Sequence, residues 1–172
     1  MNNHVQTKHK GISILETVIY FSMLAVLTLV VTRSLMSLFK SYSVIKTQQD
    51  VETSAIQIID KLTRDIRDSN AVVLASSSFN VPEGSVGLSI VNGSVTDQYA
   101  YYSTSSVLKV SKNGVYLGDL SQPGVVVNSF IARYINGTST QAIKIELNLQ
   151  ATPRYGVPPI SKNFYTTVQL RD

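Results

Sequence analysis

Lys8-His9-Lys10-Gly11-Ile12-Ser13-Ile14-Leu15-Glu16 leads into an apolar run that continues to Thr32. No charged residue occurs from Thr17 to Thr32, and Val18, Ile19, Tyr20, Phe21, Met23, Leu24, Val26, Leu27, Leu29, Val30 and Val31 fall on every side of a helix drawn through the run. A helix apolar all round is a membrane span rather than an amphipathic surface helix. Residues 12–31 would make about 30 Å of helix, the thickness of a bilayer's hydrocarbon core. Lys8 and Lys10 precede the span, and basic flanks stay in the cytoplasm. The expected arrangement is a single pass through the cytoplasmic (inner) membrane, with the N-terminus inside and the C-terminal part exported.

Glu16 does not fit a plain anchor. A carboxylate at the middle of a span costs about 2.5–3.5 kcal/mol on insertion scales, and less near an interface. Gly11 followed by Ile12-Ser13-Ile14-Leu15-Glu16 resembles the N-terminal signal of type IV pilins and of type II secretion pseudopilins. The resemblance covers roughly residues 10–31. It implies that a prepilin peptidase cuts between Gly11 and Ile12, that the new amine of Ile12 is N-methylated, and that Glu16 is the assembly glutamate. The chemistry is coherent: cleavage would place an ammonium about 6 Å of helix rise from Glu16. Opposite charges in a poorly solvated place need partners, and Glu16 of one subunit could pair with the Ile12 amine of the next.

Simpler readings leave residues unexplained. A secretory signal has an apolar region of about 7–15 residues and a small-residue cleavage site, and this run is longer and carries a glutamate near its start. An uncleaved signal anchor gives no role to Gly11 or Glu16.

The chain has 172 residues, room for one modest exported domain beyond the helix. It has no cysteine, so no disulfide supports that domain. Both histidines, His4 and His9, lie in the leader. The mature product would therefore lack His and Cys together, and with them the usual general base, the thiol nucleophile and the common zinc ligands. No catalytic residue, metal site or cofactor is expected, and the protein reads as a structural subunit, not an enzyme. The net charge of +4 drops to +2 when the leader takes Lys8 and Lys10 away, leaving 13 basic against 11 acidic side chains. Lys109, Lys112, Arg133, Lys144, Arg154, Lys162 and Arg171 are scattered through the exported part rather than gathered in a basic stripe, the expected footprint of nucleic-acid binding, so nucleic acid is a less expected partner though not an excluded one.

From Ile12 to the residue before Pro82 there is no glycine or proline, so one helix can run unbroken out of the membrane. Leu35, Leu38, Phe39, Tyr42 and Ile45, then Val51, Ala55, Ile59, Leu62 and Ile66, predict an apolar face broken by the polar stretch 47–50. Asp60, Lys61, Arg64, Asp65 and Asp68 predict a solvated opposite face, with i, i+4 pairs at 60/64, 61/65 and 64/68. The helix is expected to end at about Asp68. A long N-terminal helix half covered by an antiparallel sheet is also what the pilin resemblance implies. Many major pilins carry a helix-kinking proline in or just past the span. This chain has none, with Arg33 near that place.

Beyond Asn70, strands are predicted over 71–75, 86–91, 98–103, 107–111, 115–117, 125–135 with an interruption, 142–150 and 164–171. Asn92-Gly93, Asn113-Gly114 and Asn136-Gly137 punctuate them as hairpin turns, giving an antiparallel meander. Asn-Gly-Ser at 92–94 and Asn-Gly-Thr at 136–138 also match the glycosylation pattern, which turn chemistry already explains. Ile143, Ile145, Leu147 and Leu149 alternate with Lys144, Glu146, Asn148 and Gln150, and Phe164, Thr166, Val168 and Leu170 continue the pattern. Tyr99, Tyr101 and Tyr102 suit strand packing. Pro153 and Gly156-Val157-Pro158-Pro159 mark an irregular surface loop within 151–162 that could serve recognition. The closing strand resembles that of larger minor pilins and of J-type pseudopilins, a far less specific match than the first.

The fold expected is α+β. Residues 1–11 are a leader that is removed, 12–32 the span, 33–69 its amphipathic continuation and 70–172 an exported β-rich domain. The expected function is a subunit of a type IV pilus or pseudopilus, a minor or tip subunit rather than a major one. Its expected partners are the peptidase, other pilin or pseudopilin subunits, the inner-membrane assembly platform and membrane lipid. The competing class is a signal-anchored binding or sensory domain that keeps residues 1–11 and makes no use of Glu16.

Overall fold

A computed structural model describes residues 14–92, 95–137 and 141–170. Two compact units divide the chain between residues 41 and 42, and the helix α1 (Ile14–Asp68) contributes to both. Eight strands follow: β1 (Ala71–Val72), β2 (Ser85–Asn92), β3 (Val95–Thr104), β4 (Val107–Lys112), β5 (Val115–Asp119), β6 (Val125–Asn136), β7 (Gln141–Ala151) and β8 (Ile160–Gln169). They form two antiparallel meanders, β1-β2-β3-β4-β5 and β6-β7-β8, rather than one sheet. The fold is α+β, a long N-terminal helix packed on antiparallel sheets.

In the first unit every large apolar side chain from Ile14 to Val31 is exposed, from 48% at Val31 to 85% at Ile14. The segment is long and apolar enough to cross a membrane. Ser22, Thr28 and Thr32 donate their hydroxyls to the carbonyls of Val18, Leu24 and Thr28 at 2.7–2.8 Å. Their polarity is thereby satisfied within the helix, as an apolar surrounding demands.

In the second unit the helix buries a stripe made by Ser43, Thr47, Val51, Ser54, Ala55, Ile58, Leu62, Asp65 and Ile66. Steps of three and four residues place these on one face. The polar stretch at 47–50 does not break the stripe, because Thr47 lies within it and donates to the Ser43 carbonyl at 2.8 Å. Ile58 rather than Ile59 is the fully buried residue. Each of Ile58, Leu62 and Ile66 contributes roughly 1.5–3 kcal/mol through its burial. Against them pack Val86, Leu88, Tyr101 and Leu108 of the larger sheet and Phe130, Ile143, Ile145, Leu147, Leu149 and Val168 of the smaller one.

The helix ends at Asp68 without glycine or proline. Ser69 is buried and donates its hydroxyl to the Ile66 carbonyl at 2.7 Å, and the Asn70 amide moves to the Ser89 carbonyl of β2 at 2.9 Å. Of residues 71–75 only Ala71 and Val72 pair as a strand, and Leu74–Ser76 form a 3-10 turn. The last strand starts at Ile160, four residues earlier than the alternation predicts. Asn113 and Gly114 have φ of 51° and 79°, the left-handed pair of a type I′ hairpin turn.

A seam of backbone bonds joins the two sheets. The Asn80 and Gly84 amides donate to Ala132 and Phe130 at 2.9 Å, Phe130 donates to Pro82 at 2.7 Å, and Val127 donates to Ser106 at 2.7 Å. Gly84 is required here, since a Cβ would stand 2.7 Å from the Phe130 carbonyl oxygen.

Candidate functional site

Glu16 lies in the first described turn of α1, and an acidic group there complements the positive end of the helix dipole. It is the one charged residue between Ile12 and Thr32. Its side chain is exposed, and Tyr20 donates its hydroxyl to Oε1 at 3.1 Å, one helical turn away. The exposed carboxylate on an apolar helix can accept a further donor from outside the chain. Gly11 and Ile12, the residues of the expected cut and methylation, lie outside the described residues, as does the rest of the leader. Tyr20 as the partner of Glu16 was not anticipated, although its i+4 spacing was legible.

A second polar centre lies between α1 and the larger sheet and corrects an expectation. Asp65, placed by its spacing on a solvated face, is 6% exposed. The Tyr101 hydroxyl donates to its Oδ2, and Lys61 donates to its Oδ1 at 3.0 Å. The Tyr101 ring is fully buried, so its hydroxyl must find an acceptor. Burial, and then the neighbouring Asp65 carboxylate, push the Tyr101 pKa well above its ordinary value. From there the contacts continue along β3 and β4: Lys61 and Lys112 lie 5.9 Å and 5.5 Å from the Tyr99 ring, and Lys112 pairs with Asp97 at 2.8 Å. The Lys112 and Asn113 bonds hold the Asp97 carboxyl below the usual carboxylate range. The remaining helix charges do face water. Arg64 pairs with Asp60 at 2.7 Å, both largely exposed.

The network ties helix to sheet. Among the described residues no group of three His, Cys, Asp or Glu side chains gathers to hold a metal ion. The loop expected to serve recognition is anchored, with Pro153 buried and the Arg154 amide donating to Ser43 Oγ at 2.9 Å.

Compared with protein-family models, curated proteins and solved structures, the chain matches none.

Proposed function

We propose that this protein is a structural subunit of a type IV pilus or pseudopilus, in the minor or tip class. In this reading the prepilin peptidase removes residues 1–11 in the cytoplasm. The Ile12 amine is then methylated, and the exported domain stands outside the inner membrane until the platform draws the subunit into a filament. The observation that carries it is Glu16: a single exposed carboxylate in the otherwise uncharged apolar stretch of the helix up to Thr32, at the position the pilin signal gives to its assembly glutamate. An isolated carboxylate among apolar side chains needs a cationic partner, and the Ile12 ammonium of a neighbouring subunit is that partner. The protein's contribution is therefore positional, with no chemistry performed on a substrate.

Glu16→Ala tests the role. The variant should insert in the membrane in normal amount and fail to enter the filament fraction, while Tyr20→Phe, which keeps the carboxylate, should enter it. Normal incorporation of Glu16→Ala would remove the basis for the assembly role and favour a simple anchor.

A further inference from the structure

The outward face of β6-β7-β8 carries an ordered array of neutral amides that nothing above uses. Asn148 is its hub. Its Oδ1 accepts from Asn128 Nδ2 at 2.9 Å and from Ser161 Oγ at 3.1 Å, and its Nδ2 donates to Asn163 Oδ1 at 2.5 Å. Asn128 also donates to Gln150 Oε1 at 2.7 Å. Asn128 sits at the one register shift of the β6–β7 pairing, where Val127 faces Leu149 and Ser129 faces Asn148. A bulge re-aims the side chain it carries, and here the re-aimed side chain joins the array. One row along, Glu146 faces Tyr165, whose ring is 63% exposed. Arg133 and Lys144 both reach Glu146 at 3.0 Å.

Fixed amides leave free donors on Gln150 and Asn163 and a free acceptor on Asn128, all held by their neighbours. A carboxylate and an exposed aromatic ring lie beside them on the same face. Alternate rows along a strand are about 7 Å apart and strands about 4.8 Å apart. The array, the carboxylate and the ring thus cover a patch of about 14 Å by 10 Å. The ligand matching it has hydroxyls that both donate and accept, a flat apolar face to lie on the ring, and no charge of its own, because the amides that would bond it are themselves uncharged. A short neutral saccharide has all three properties.

We propose that this sheet face is a binding site for a neutral glycan. Asn128, Asn148, Asn163 and Gln150 bond its hydroxyls, Glu146 accepts from an adjacent hydroxyl, and Tyr165 stacks against a sugar ring. The site requires only the folded exported domain, and holds whether or not the subunit enters a filament.

The test is saturation-transfer NMR on the full chain in lauryldimethylamine oxide micelles, which carry no sugar headgroup. The probes are chitotriose, cellotriose and maltotriose at millimolar concentration. At least one should receive saturation, with the dissociation constant rising tenfold or more in Tyr165→Ala and in Asn163→Ala. Both changes are on the exposed face of an edge strand, and unchanged thermal melting would show that they fold. Tyr116→Ala, on exposed β5, should bind as the parent does. Transfer to none of the three trisaccharides, or affinity unaltered in both β8 variants, would overturn the proposal.

Discussion

The two halves of α1 are built from the same local rules and serve opposite surroundings. Neither half contains glycine or proline, so no helix breaker interrupts either. From residue 14 to 41 the helix turns apolar side chains outward on every side, whereas from residue 42 to 68 it buries a single stripe against sheet residues and leaves charged pairs exposed. The absence of breakers therefore lets one helix run through both. The distribution of apolar groups around it separates the two, a first half long and apolar enough to cross a membrane and a second half that lies against a protein core.

Truncating the buried stripe sharpens this contrast most. Leu62→Ala should lower the unfolding free energy of the second unit by about 2–5 kcal/mol, the usual range for an aliphatic core truncation. Leu27→Ala, on the exposed segment, should leave that unfolding free energy unchanged. Denaturant unfolding of both variants in the same detergent checks the pair, and equal losses would break the comparison.

A smaller effect belongs to the buried polar bond between helix and sheet. Tyr101→Phe leaves Asp65 with Lys61 alone, and should cost about 1–3 kcal/mol as a buried acceptor loses its donor. This bond also gives an alkaline signature. The folded tyrosine keeps its proton above its ordinary pKa of about 10. The unfolded chain therefore loses protons first, and stability is present below pH 10 and falls as pH rises beyond it. Tyr101→Phe should flatten that alkaline decline in thermal melts taken across the range.

At the acid end the sign reverses. Asp97 and Glu146 have folded pKa values below their ordinary ones, Asp97 through Lys112 and Asn113 and Glu146 through Arg133 and Lys144. Their contribution is present above the unfolded carboxylate range near 4 and is lost as pH falls through the lower folded values. Asp97→Asn should weaken the acid dependence of the melting temperature without changing its alkaline side. The smallest effect is at the solvated pair: Asp60→Ala should cost no more than about 0.2–0.5 kcal/mol, readable as a shift in denaturant midpoint.

The fold was largely legible because its signals are local. A long glycine-free and proline-free run, Asn-Gly at the hairpins and strict alternation at 143–150 each act over a few residues, and the α+β architecture and all eight strands follow from them. What the sequence hid are the contacts made at a distance. Asp65 belongs by spacing to a charged helix face, and only the arrival of Tyr101 from β3 shows it to be a buried acceptor. Thr47 looks like a break in an apolar stripe until its hydroxyl is seen to bond the preceding turn. The split into two sheets depends on residues 80–84 covering the β6 edge, a pairing with no sequence period of its own. Of the candidate site, Glu16 stands out by composition alone, and Tyr20 is recoverable from its i+4 spacing. The amide array on β6-β7-β8 depends on the strand register and a bulge, which no local pattern announces.

The proposed conversion of a membrane-inserted precursor into a filament subunit is tested most directly by intact mass with N-terminal sequencing of the protein from its native membrane. A chain beginning at Ile12, carrying one added methyl group, is the predicted result. A chain that still begins at Met1 or Asn2 would contradict it and leave a signal anchor bearing an exported domain.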